Sequence, residues 1–202
     1  VYNEEAALLA FHRRLTGLDL PVRPIYIGNG STDGSLRLLH SFAGAVVIEH
    51  ATNEGYGASL RDGIRRATAE RIVIIDADCE YPPEAIPEMV SRLDRADVVY
   101  ASRFLEPQQT RMGWLKVFGN RVITRLFNLL FHQQLTDLYT GAKAFRREVV
   151  ADLPMEQNGF EHVLEVAARL ARAGCRFAEV HVTFAPRATG VSKMSHLSET
   201  IK

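Results

Sequence analysis

The sequence contains few cysteines, no surplus of either charge and no long hydrophobic run. Its two cysteines, Cys79 and Cys175, form no CxxC pair, which excludes a disulfide framework or a cysteine zinc site and favours a reducing compartment. Lysine and arginine total 24, as do aspartate and glutamate, so the basic surplus typical of nucleic-acid-binding proteins is absent. No run reaches 18 uncharged apolar residues, so no spanning helix is expected within the sequence.

The length and composition are those of one folded domain. The chain has 202 residues, of which 47% are hydrophobic and 24% are charged, as in an ordinary globular protein. It opens at Val1-Tyr2 with no room for a first strand, so we expect that strand to begin upstream. We therefore expect residues 1–202 to form a single domain whose first strand is truncated, and we leave open whether membrane segments follow residue 202.

Helical and strand patterns alternate along the chain. The spacing of apolar residues predicts helices over residues 4–16, 36–42, 55–69, 83–93, 112–131 and 160–174. Short apolar runs predict strands over residues 23–27, 45–48, 71–76, 97–102 and 176–184. This alternation is typical of an α/β fold in which helices sandwich a mostly parallel sheet.

Polar, turn-rich segments follow three of the predicted strands, at residues 28–34, at residues 76–80 and at Arg103. Ligands of such sheets bind beyond the carboxyl ends of the strands. Asp76 and Asp78, one residue apart after a buried strand, can face a hard cation together with a diphosphate. An isolated Asp-x-Asp is also found in solvated turns, so these two residues alone leave both interpretations open.

Seven short segments, in order over nearly the whole chain, carry the most specific signal. They are VYNEE at 1–5, GNGSTDG at 28–34, NEGYGA at 53–58, IIDADCEYPP at 74–83, ASR at 101–103, DLYTGAKAFRR at 137–147 and RATGVSKM at 187–194. Together they resemble motifs of the family 2 glycosyltransferases, and most closely of the dolichol- and polyprenyl-phosphate sugar transferases. The resemblance implies the GT-A fold, a UDP- or GDP-sugar donor, Mg²⁺ or Mn²⁺, and a single displacement with inversion.

The resemblance assigns one group of residues to the donor and the cation. Those implied to bind the nucleotide sugar are Tyr2, Asn3, Glu4, Asn29, Asp33, Asn53, Gly57, Asp76 and Ala77. Asp78 is implied as a catalytic cation ligand, with Asp76 and Glu80 as further ligands. Three of these residues also have structural alternatives: Glu4 in the first turn of a helix, Asp33 as a helix cap and Glu80 at the surface.

The nucleotide loop departs from the family pattern, because Gly28-Asn29 stands where the family has a pair of aspartates. Asn29 keeps a carbonyl acceptor for the nucleobase but loses the charge. A neutral hydrogen bond in place of a charge-assisted one weakens this contact by about 1 kcal/mol. Asn-Gly also suits a turn that needs positive φ, so a purely structural role stays open.

A second group of residues is implied to handle the acceptor. Arg103, Arg187 and Lys193 match phosphate-handling positions of the polyprenyl-phosphate branch, and guanidinium and ammonium groups suit phosphate. Asp137 is the candidate general base. A hydroxyl acceptor needs such a base, whereas a phosphate monoester is already largely dianionic at pH 7. With a lipid phosphate, Asp137 would only orient the acceptor or the cations around it.

The predicted helix 112–131 has two interpretations. It is either a core-packing helix or an interfacial helix that lies on an anionic membrane near a lipid acceptor. Arg121 and Arg125, one turn apart on a largely apolar helix, favour the second interpretation.

The resemblance therefore implies a metal-dependent inverting glycosyltransferase that uses a polyprenyl phosphate at a membrane surface, and the balanced charge argues against nucleic-acid binding. The expected location is the cytoplasmic face of a membrane, with the cytoplasm as the alternative. One rival keeps the fold but uses a saccharide or another soluble hydroxyl acceptor. The other rival is a non-catalytic nucleotide-sugar-binding module, suggested by the missing aspartate pair.

Overall fold

The computed structural model describes residues 1–106 and 113–184 of the chain. The helices are α1 (Glu5–Thr16), α2 (Ser35–Ser41), α3 (Tyr56–Arg66), α4 (Ile86–Arg92), α5 (Trp114–Phe131), α6 (Arg147–Val150) and α7 (Glu161–Arg172), with a 3-10 turn at Pro83–Ala85. The strands are β1 (Ile25–Asn29), β2 (Val46–His50), β3 (Arg71–Ile75), β4 (Val98–Ser102), β5 (Ala142–Arg146) and β6 (Phe177–His181). The predicted alternation of helices and strands is confirmed, with bounds that shift by a few residues.

The strands form two sheets, one of them mixed. β1 and β2 pair in parallel, and the other four strands are arranged in the order β3-β5-β4-β6. β4 and β6 are parallel, whereas β5 runs antiparallel to both β3 and β4. The sequence predicted neither β5 nor α6, and the sheet expected to be mostly parallel contains the antiparallel strand β5 between β3 and β4.

The direction of β5 brings three chain segments to one edge of the sheet. Because β3 and β4 both run against β5, they run parallel to each other, and their carboxyl ends lie at the same edge. Asp76 follows β3 and Arg103 follows β4 at this edge. The segment from Asp137 to Gly141 leads into the amino end of β5 and so reaches the same edge. This is where an α/β sheet binds its ligands.

Buried apolar side chains hold this edge in place from both faces of the sheet. All five residues of β4 are buried, which is typical of a central strand with helices on either side. Tyr100 and Phe145 pack with α7 residues such as Val166 and Leu170 in one cluster. Met89, from α4, packs against β4 in a second cluster. The polar residues at the strand ends are therefore displayed from a rigid support.

Candidate functional site

The first residues of the chain pack against the loop that follows β1. The backbone nitrogen of Asn3 donates to the Ser31 hydroxyl at 3.1 Å, and the side-chain oxygen of Asn3 accepts from the Thr32 nitrogen at 2.8 Å. The Glu4 nitrogen donates to the Ser35 hydroxyl at 2.9 Å. Tyr2, Asn3 and Glu4 are thus brought beside the segment 28–34, as a shared nucleotide pocket requires.

Asp33 joins the starts of two helices. Its carboxylate accepts hydrogen bonds from the Ser35 nitrogen at 3.0 Å and from the Glu5 nitrogen at 3.2 Å. Burial disfavours the charged form, but the hydrogen bonds from Ser35 and Glu5 outweigh it and lower the pKa of Asp33. The geometry gives Asp33 a structural role at the beginning of α2 beside its expected place in the nucleotide pocket.

All four hydrogen-bonding positions of the Asn29 amide face protein groups. Its oxygen accepts from the Glu54 nitrogen and faces His50 Nδ1, both at 2.9 Å. Its nitrogen donates to the Asn53 side-chain oxygen at 3.0 Å and to the Gly55 carbonyl at 3.3 Å. An amide offers two donors and two acceptor positions. Asn29 therefore secures the loop 53–55, and a nucleobase contact would replace one of these bonds.

Gly57 lies where the chain passes closest to a neighbouring loop. Its nitrogen donates to the Asn158 carbonyl at 2.7 Å, and a Cβ atom here would collide with the carbonyl oxygen of Gln157. Asn53 is exposed on the same loop and uses its side-chain oxygen for Asn29. Close packing at the start of α3 explains the glycine without a ligand contact.

Asp76, Ala77 and Asp78 form a tight turn after β3. Asp78 is buried, and its carboxylate accepts from the Glu80 nitrogen at 2.9 Å, while Cys79 between them adopts a left-handed φ of 62°. Burial, followed by repulsion from Asp78, raises the pKa of Asp76 to about 7. A carboxylate whose charge is disfavoured by burial and by a neighbouring carboxylate suits a divalent cation, and Mg²⁺ often binds one or two carboxylates plus substrate phosphates.

Glu80 does not complete a three-carboxylate cage with these two aspartates. Within residues 1–106 and 113–184, the group of three candidate ligands whose atoms all lie within 4.8 Å of one another is a different one, formed by His50, Glu54 and Asp62. The predicted set of Asp76, Asp78 and Glu80 does not converge this closely. At the Asp76–Asp78 turn, a cation would therefore take its remaining ligands from a diphosphate and water.

Arg103 and Asp137 form a buried ion pair at the same edge of the sheet. Arg103 donates to Asp137 from its backbone nitrogen, from Nε at 2.7 Å and from Nη2 at 2.9 Å. Asn120 Nδ2, on α5, donates at 2.6 Å to Oδ1 of this carboxylate, the oxygen that also accepts from Nη2. Asp137 is 0% exposed and Arg103 is 8% exposed. Both oxygens of the predicted general base are thus engaged by two protein donors each.

Aromatic rings enclose the Arg103 guanidinium. Its central carbon lies 5.4 to 5.6 Å from the ring centroids of Tyr81, Phe104 and Phe184, which is within the range of cation–π contacts. Nη2 also donates to the Tyr139 carbonyl at 2.9 Å. The ion pair and the rings fix the orientation of the guanidinium before any ligand arrives.

Lys143 adds a buried positive charge next to the carboxylates. It lies in the middle of β5, where it hydrogen-bonds the Thr140 carbonyl, and its ammonium lies 5.3 Å from the Tyr100 ring centroid. Burial lowers the pKa of Lys143 to about 8, against the opposing effects of Asp76 and Asp137. Sequence reasoning did not single out Lys143 or Asn120 as site residues. The features that could have identified them are the position of Lys143 inside a buried strand and the position of Asn120 on the inner side of α5.

The two remaining predicted acceptor residues, Arg187 and Lys193, lie outside the described residues. The described part of the predicted acceptor site is therefore formed by Arg103 and Asp137, with the Asp76–Asp78 turn beside it. Gly141 links the two: a Cβ atom at Gly141 would meet the Asp76 carboxylate and the Tyr81 ring. The segment from Asp137 to Gly141 accordingly packs directly against the predicted cation turn.

Comparison with known families yields one matching family model. The model of glycosyl transferase family 2 matches residues 1–153, which is about three quarters of the chain. The matched region contains the Asp76–Asp78 turn, Arg103 and Asp137.

Characterised and uncharacterised glycosyltransferases are among the similar sequences. Glycosyltransferase AglJ of Haloferax volcanii is 29% identical over 168 residues, covering 82% of this chain and 55% of that protein. An undecaprenyl-phosphate 4-deoxy-4-formamido-L-arabinose transferase of Pseudomonas aeruginosa is 29% identical over 205 residues, covering 96% of this chain and 58% of that protein. The chain thus spans little more than half the length of these two relatives.

Solved structures of glucosyl-3-phosphoglycerate synthase from Mycobacterium tuberculosis share the fold. The complex with Mn²⁺, UDP and glucosyl-3-phosphoglycerate has a TM-score of 0.72 and 19% identity, covering 95% of this chain and 70% of that one. The complex with phosphoglyceric acid has a TM-score of 0.73. At this level of identity, the similarity establishes the common architecture.

Proposed function

Because the chain belongs to glycosyl transferase family 2, we propose that it transfers a sugar, with inversion, from a UDP- or GDP-sugar to a polyprenyl phosphate in the presence of Mg²⁺ or Mn²⁺. The chain is a glycosyltransferase of the GT-A fold that uses a nucleotide sugar, so an enzyme is favoured over a non-catalytic module. To this activity the proposal adds the identity of the acceptor and the requirement for a divalent cation.

The donor is assigned to the edge formed by the loop after β1 and the turn after β3. Tyr2, Asn3 and Glu4 flank the nucleotide loop, and Asp76 and Asp78 lie where the diphosphate would approach the sheet edge. A divalent cation held by these two aspartates would neutralise the charge that develops on the departing nucleoside diphosphate. The presence of Mn²⁺ and UDP in the related synthase structure supports this assignment.

The observation that carries the acceptor assignment is the environment of Asp137. Oδ2 accepts two hydrogen bonds from Arg103, and Oδ1 accepts one from Arg103 and one from Asn120. Neither oxygen is therefore positioned to take a proton from a hydroxyl group. A phosphate monoester attacks without losing a proton, because it is already largely dianionic at pH 7. A lipid phosphate therefore fits this site better than a saccharide does. In this proposal, Asp137 is a positioning residue that holds Arg103.

The relatives give the phosphate acceptor a second line of support. The Pseudomonas aeruginosa relative is named for an undecaprenyl-phosphate substrate. With a phosphate acceptor, Arg103 would present its fixed guanidinium to the acceptor phosphate. Arg187 and Lys193, in the motif 187–194, would supply further positive charge. Guanidinium and ammonium groups are the usual partners of phosphate in proteins.

The exposed side of α5 supports a location at a membrane surface. Seven large apolar side chains on this helix are solvent-exposed: Trp114, Leu115, Phe118, Val122, Leu126, Leu129 and Leu130. Arg121 and Arg125 are exposed on the same helix. An amphipathic helix with apolar and basic exposed residues is typical of proteins that lie on anionic bilayers. The interfacial interpretation of this helix is the one that we retain in the proposal.

The inner side of α5 connects that surface to the site. Asn120 donates to Asp137, and the Thr124 hydroxyl donates to Asn120 at 3.0 Å. The helix that would face the bilayer therefore also supports the residue that orients Arg103. No helix within residues 1–106 and 113–184 combines the length and hydropathy needed to cross a bilayer. Docking is proposed as peripheral contact through the exposed apolar side chains of α5.

The proposal places the site on the cytoplasmic face of a membrane and treats the chain as one catalytic domain. The free thiols Cys79 and Cys175 are compatible with a reducing compartment. A freely diffusing cytoplasmic enzyme is the alternative.

A transfer assay with matched acceptors tests the proposed function. The protein is incubated with Mn²⁺ and a panel of UDP- and GDP-sugars, using undecaprenyl phosphate, undecaprenol or a soluble saccharide as the acceptor. The expected result is transfer to undecaprenyl phosphate alone, abolished by EDTA and in Asp78→Ala. Transfer to undecaprenol or to the saccharide at a comparable rate, or activity insensitive to EDTA, would refute the proposal.

A further inference from the structure

Three potential metal ligands converge on the side of α3 that faces the end of β2. They are His50, the last residue of β2, Glu54 in the following loop, and Asp62 on α3. One ligand atom from each lies within 4.8 Å of the other two. The His50 side chain is 6% exposed and Asp62 is 34% exposed. These residues are separate from the Asp76–Asp78 turn and take no part in the proposed transfer chemistry.

The orientation of the Asn29 amide fixes which nitrogen of His50 carries a hydrogen. The Glu54 backbone N–H can only donate, so the Asn29 atom 2.9 Å from it must be the amide oxygen. The Asn29 nitrogen correspondingly donates to Asn53 and Gly55. His50 Nδ1 lies 2.9 Å from the same amide oxygen and must therefore be the donor of that hydrogen bond.

The other ring nitrogen then faces a carboxylate. In the neutral ring with a hydrogen on Nδ1, Nε2 carries a lone pair, and it lies 3.1 Å from Asp62 Oδ2. Two acceptors at this distance repel each other unless a positive charge lies between them. That charge is either a proton, carried by the imidazole or by the Asp62 carboxylate, or a metal ion. Arg65 approaches the same carboxylate only at 3.9 Å, through a side chain that is 69% exposed.

We propose that His50, Glu54 and Asp62 form a Zn²⁺ site that fastens β2, the loop 53–55 and α3 to one another. Imidazole nitrogen with carboxylate oxygen is a usual ligand set for Zn²⁺. Two such ligands on one tetrahedral ion lie roughly 3.3 Å apart, close to the observed separation of His50 and Asp62.

Two further features fit a metal more closely than a simple ion pair. A metal-binding histidine ordinarily donates its other ring N–H to an oxygen that fixes the ring, as His50 does to Asn29. The exposed Glu54 carboxylate supplies a third ligand that an imidazolium–carboxylate pair would not need. The site differs from the Asp76–Asp78 turn in offering nitrogen, so it selects a borderline ion such as Zn²⁺ over Mg²⁺.

Calorimetric titration of the metal-free protein with Zn²⁺ tests this site without any turnover assay. Asp78→Ala, in which the other candidate cation site is disrupted, is expected to bind one Zn²⁺, and the wild type is expected to bind a Zn²⁺ with the same affinity in addition to any ion at the Asp76–Asp78 turn. His50→Gln is expected to weaken binding at least tenfold and to remove the rise in Tm caused by Zn²⁺. His40→Gln is the matched control, since His40 pairs with Glu49 on the surface at 2.6 Å and belongs to no three-ligand group within residues 1–106 and 113–184.

Glu54→Gln provides a second variant, because this exposed side chain can be changed without disturbing the core. It is also expected to weaken Zn²⁺ binding. The proposal is overturned if the wild type binds no Zn²⁺, which would leave His50 and Asp62 as a hydrogen-bonded pair. It is equally overturned if binding is lost in Asp78→Ala and kept in His50→Gln. Either result concerns metal binding alone and leaves the proposed transferase function to its own assay.

Discussion

Arg103 and Asp137 face each other as a two-pronged ion pair, with the Nε and Nη2 bonds to the carboxylate measuring 2.7 and 2.9 Å and neither side chain more than 8% exposed. Pairs of this geometry are among the stronger ones in proteins. Removing one partner leaves a buried charge without compensation. The pair therefore links the stability of the domain to the presentation of Arg103.

The first prediction concerns this pair. Arg103→Ala is expected to lower the free energy of unfolding by about 3–5 kcal/mol, because Asp137 would remain buried and charged. Urea denaturation measures the change. Arg176→Ala is the control: Arg176 also makes two hydrogen bonds to a carboxylate, that of Asp97, but in solvent, and its loss is expected to cost far less. Equal costs for the two variants would contradict the buried-pair interpretation.

The second prediction concerns pH and the cation. Because burial and Asp78 raise the pKa of Asp76 to about 7, a proton competes with Mn²⁺ below that pH. The Mn²⁺ association constant is expected to rise by up to about tenfold per pH unit up to about pH 7 and then to level off. Electron paramagnetic resonance of free Mn²⁺ measures it. Asp76→Asn should bind more weakly and with little pH dependence. A wild-type affinity independent of pH between 5 and 7 would contradict the prediction.

The raised pKa of Asp76 can also be tested in the metal-free protein, through the pH dependence of its stability. An acid whose pKa is raised by folding stabilises the folded state most below its unfolded pKa. That contribution disappears as the pH rises through about 7. The unfolding free energy of the wild type is therefore expected to fall relative to that of Asp76→Asn between pH 5 and pH 8. Parallel curves for the two proteins would show that Asp76 titrates normally.

The third prediction concerns the exposed side of α5. Phe118→Glu and Leu129→Glu are expected to reduce flotation with anionic liposomes several-fold, because each replaces an apolar contact with a charge repelled by the bilayer. Charge reversal at Arg121 and Arg125 should release the protein as well. Leu9→Glu is the matched control, since Leu9 is an exposed leucine on α1. Unchanged flotation in the α5 variants would exclude this helix as the docking surface.

The fourth prediction concerns Asn29. Asn29→Asp restores the residue that the family resemblance would favour, yet it removes the donors to Asn53 and Gly55. We expect a loss of stability of about 1–3 kcal/mol and weaker binding of the nucleotide sugar, because the loop 53–55 loses its support. Thermal unfolding and donor titration measure the two effects. Tighter donor binding in this variant would mean that residue 29 contacts the nucleobase directly.

The sequence predicted the helices other than α6 and the strands other than β5 because their apolar residues repeat at clear intervals. It missed β5, whose residues Ala-Lys-Ala-Phe-Arg place a lysine in the middle of a strand. Lys143 is tolerated there because it hydrogen-bonds the Thr140 carbonyl and lies near the Tyr100 ring. The sheet is mixed because β5 runs antiparallel to its neighbours. Hydrophobic periodicity did not identify β5 and therefore could not predict this topology.

Motifs pointed to the candidate site residues but not to the hydrogen bonds between them. The strand pattern placed Asp76 and Arg103 after predicted strands, and the family resemblance added Asp137. The pairing of Arg103 with Asp137 depends on where α5 places Asn120, which is a tertiary relationship. The four bonds of Asn29 depend likewise on a loop and a strand end that only meet in the folded chain. Contacts between residues that are distant in the sequence cannot be predicted from local motifs.

The central claim is that Asp137 orients Arg103 and does not remove a proton from the acceptor. The most direct test is the steady-state rate of Asp137→Asn with undecaprenyl phosphate, measured against acceptor concentration and pH. The account predicts a raised acceptor KM, a kcat within about tenfold of the wild type and an unchanged pH profile. A fall in kcat of about 10²–10⁴ with an unchanged KM, together with loss of the ascending limb of the pH profile, would identify Asp137 as the general base and contradict the account.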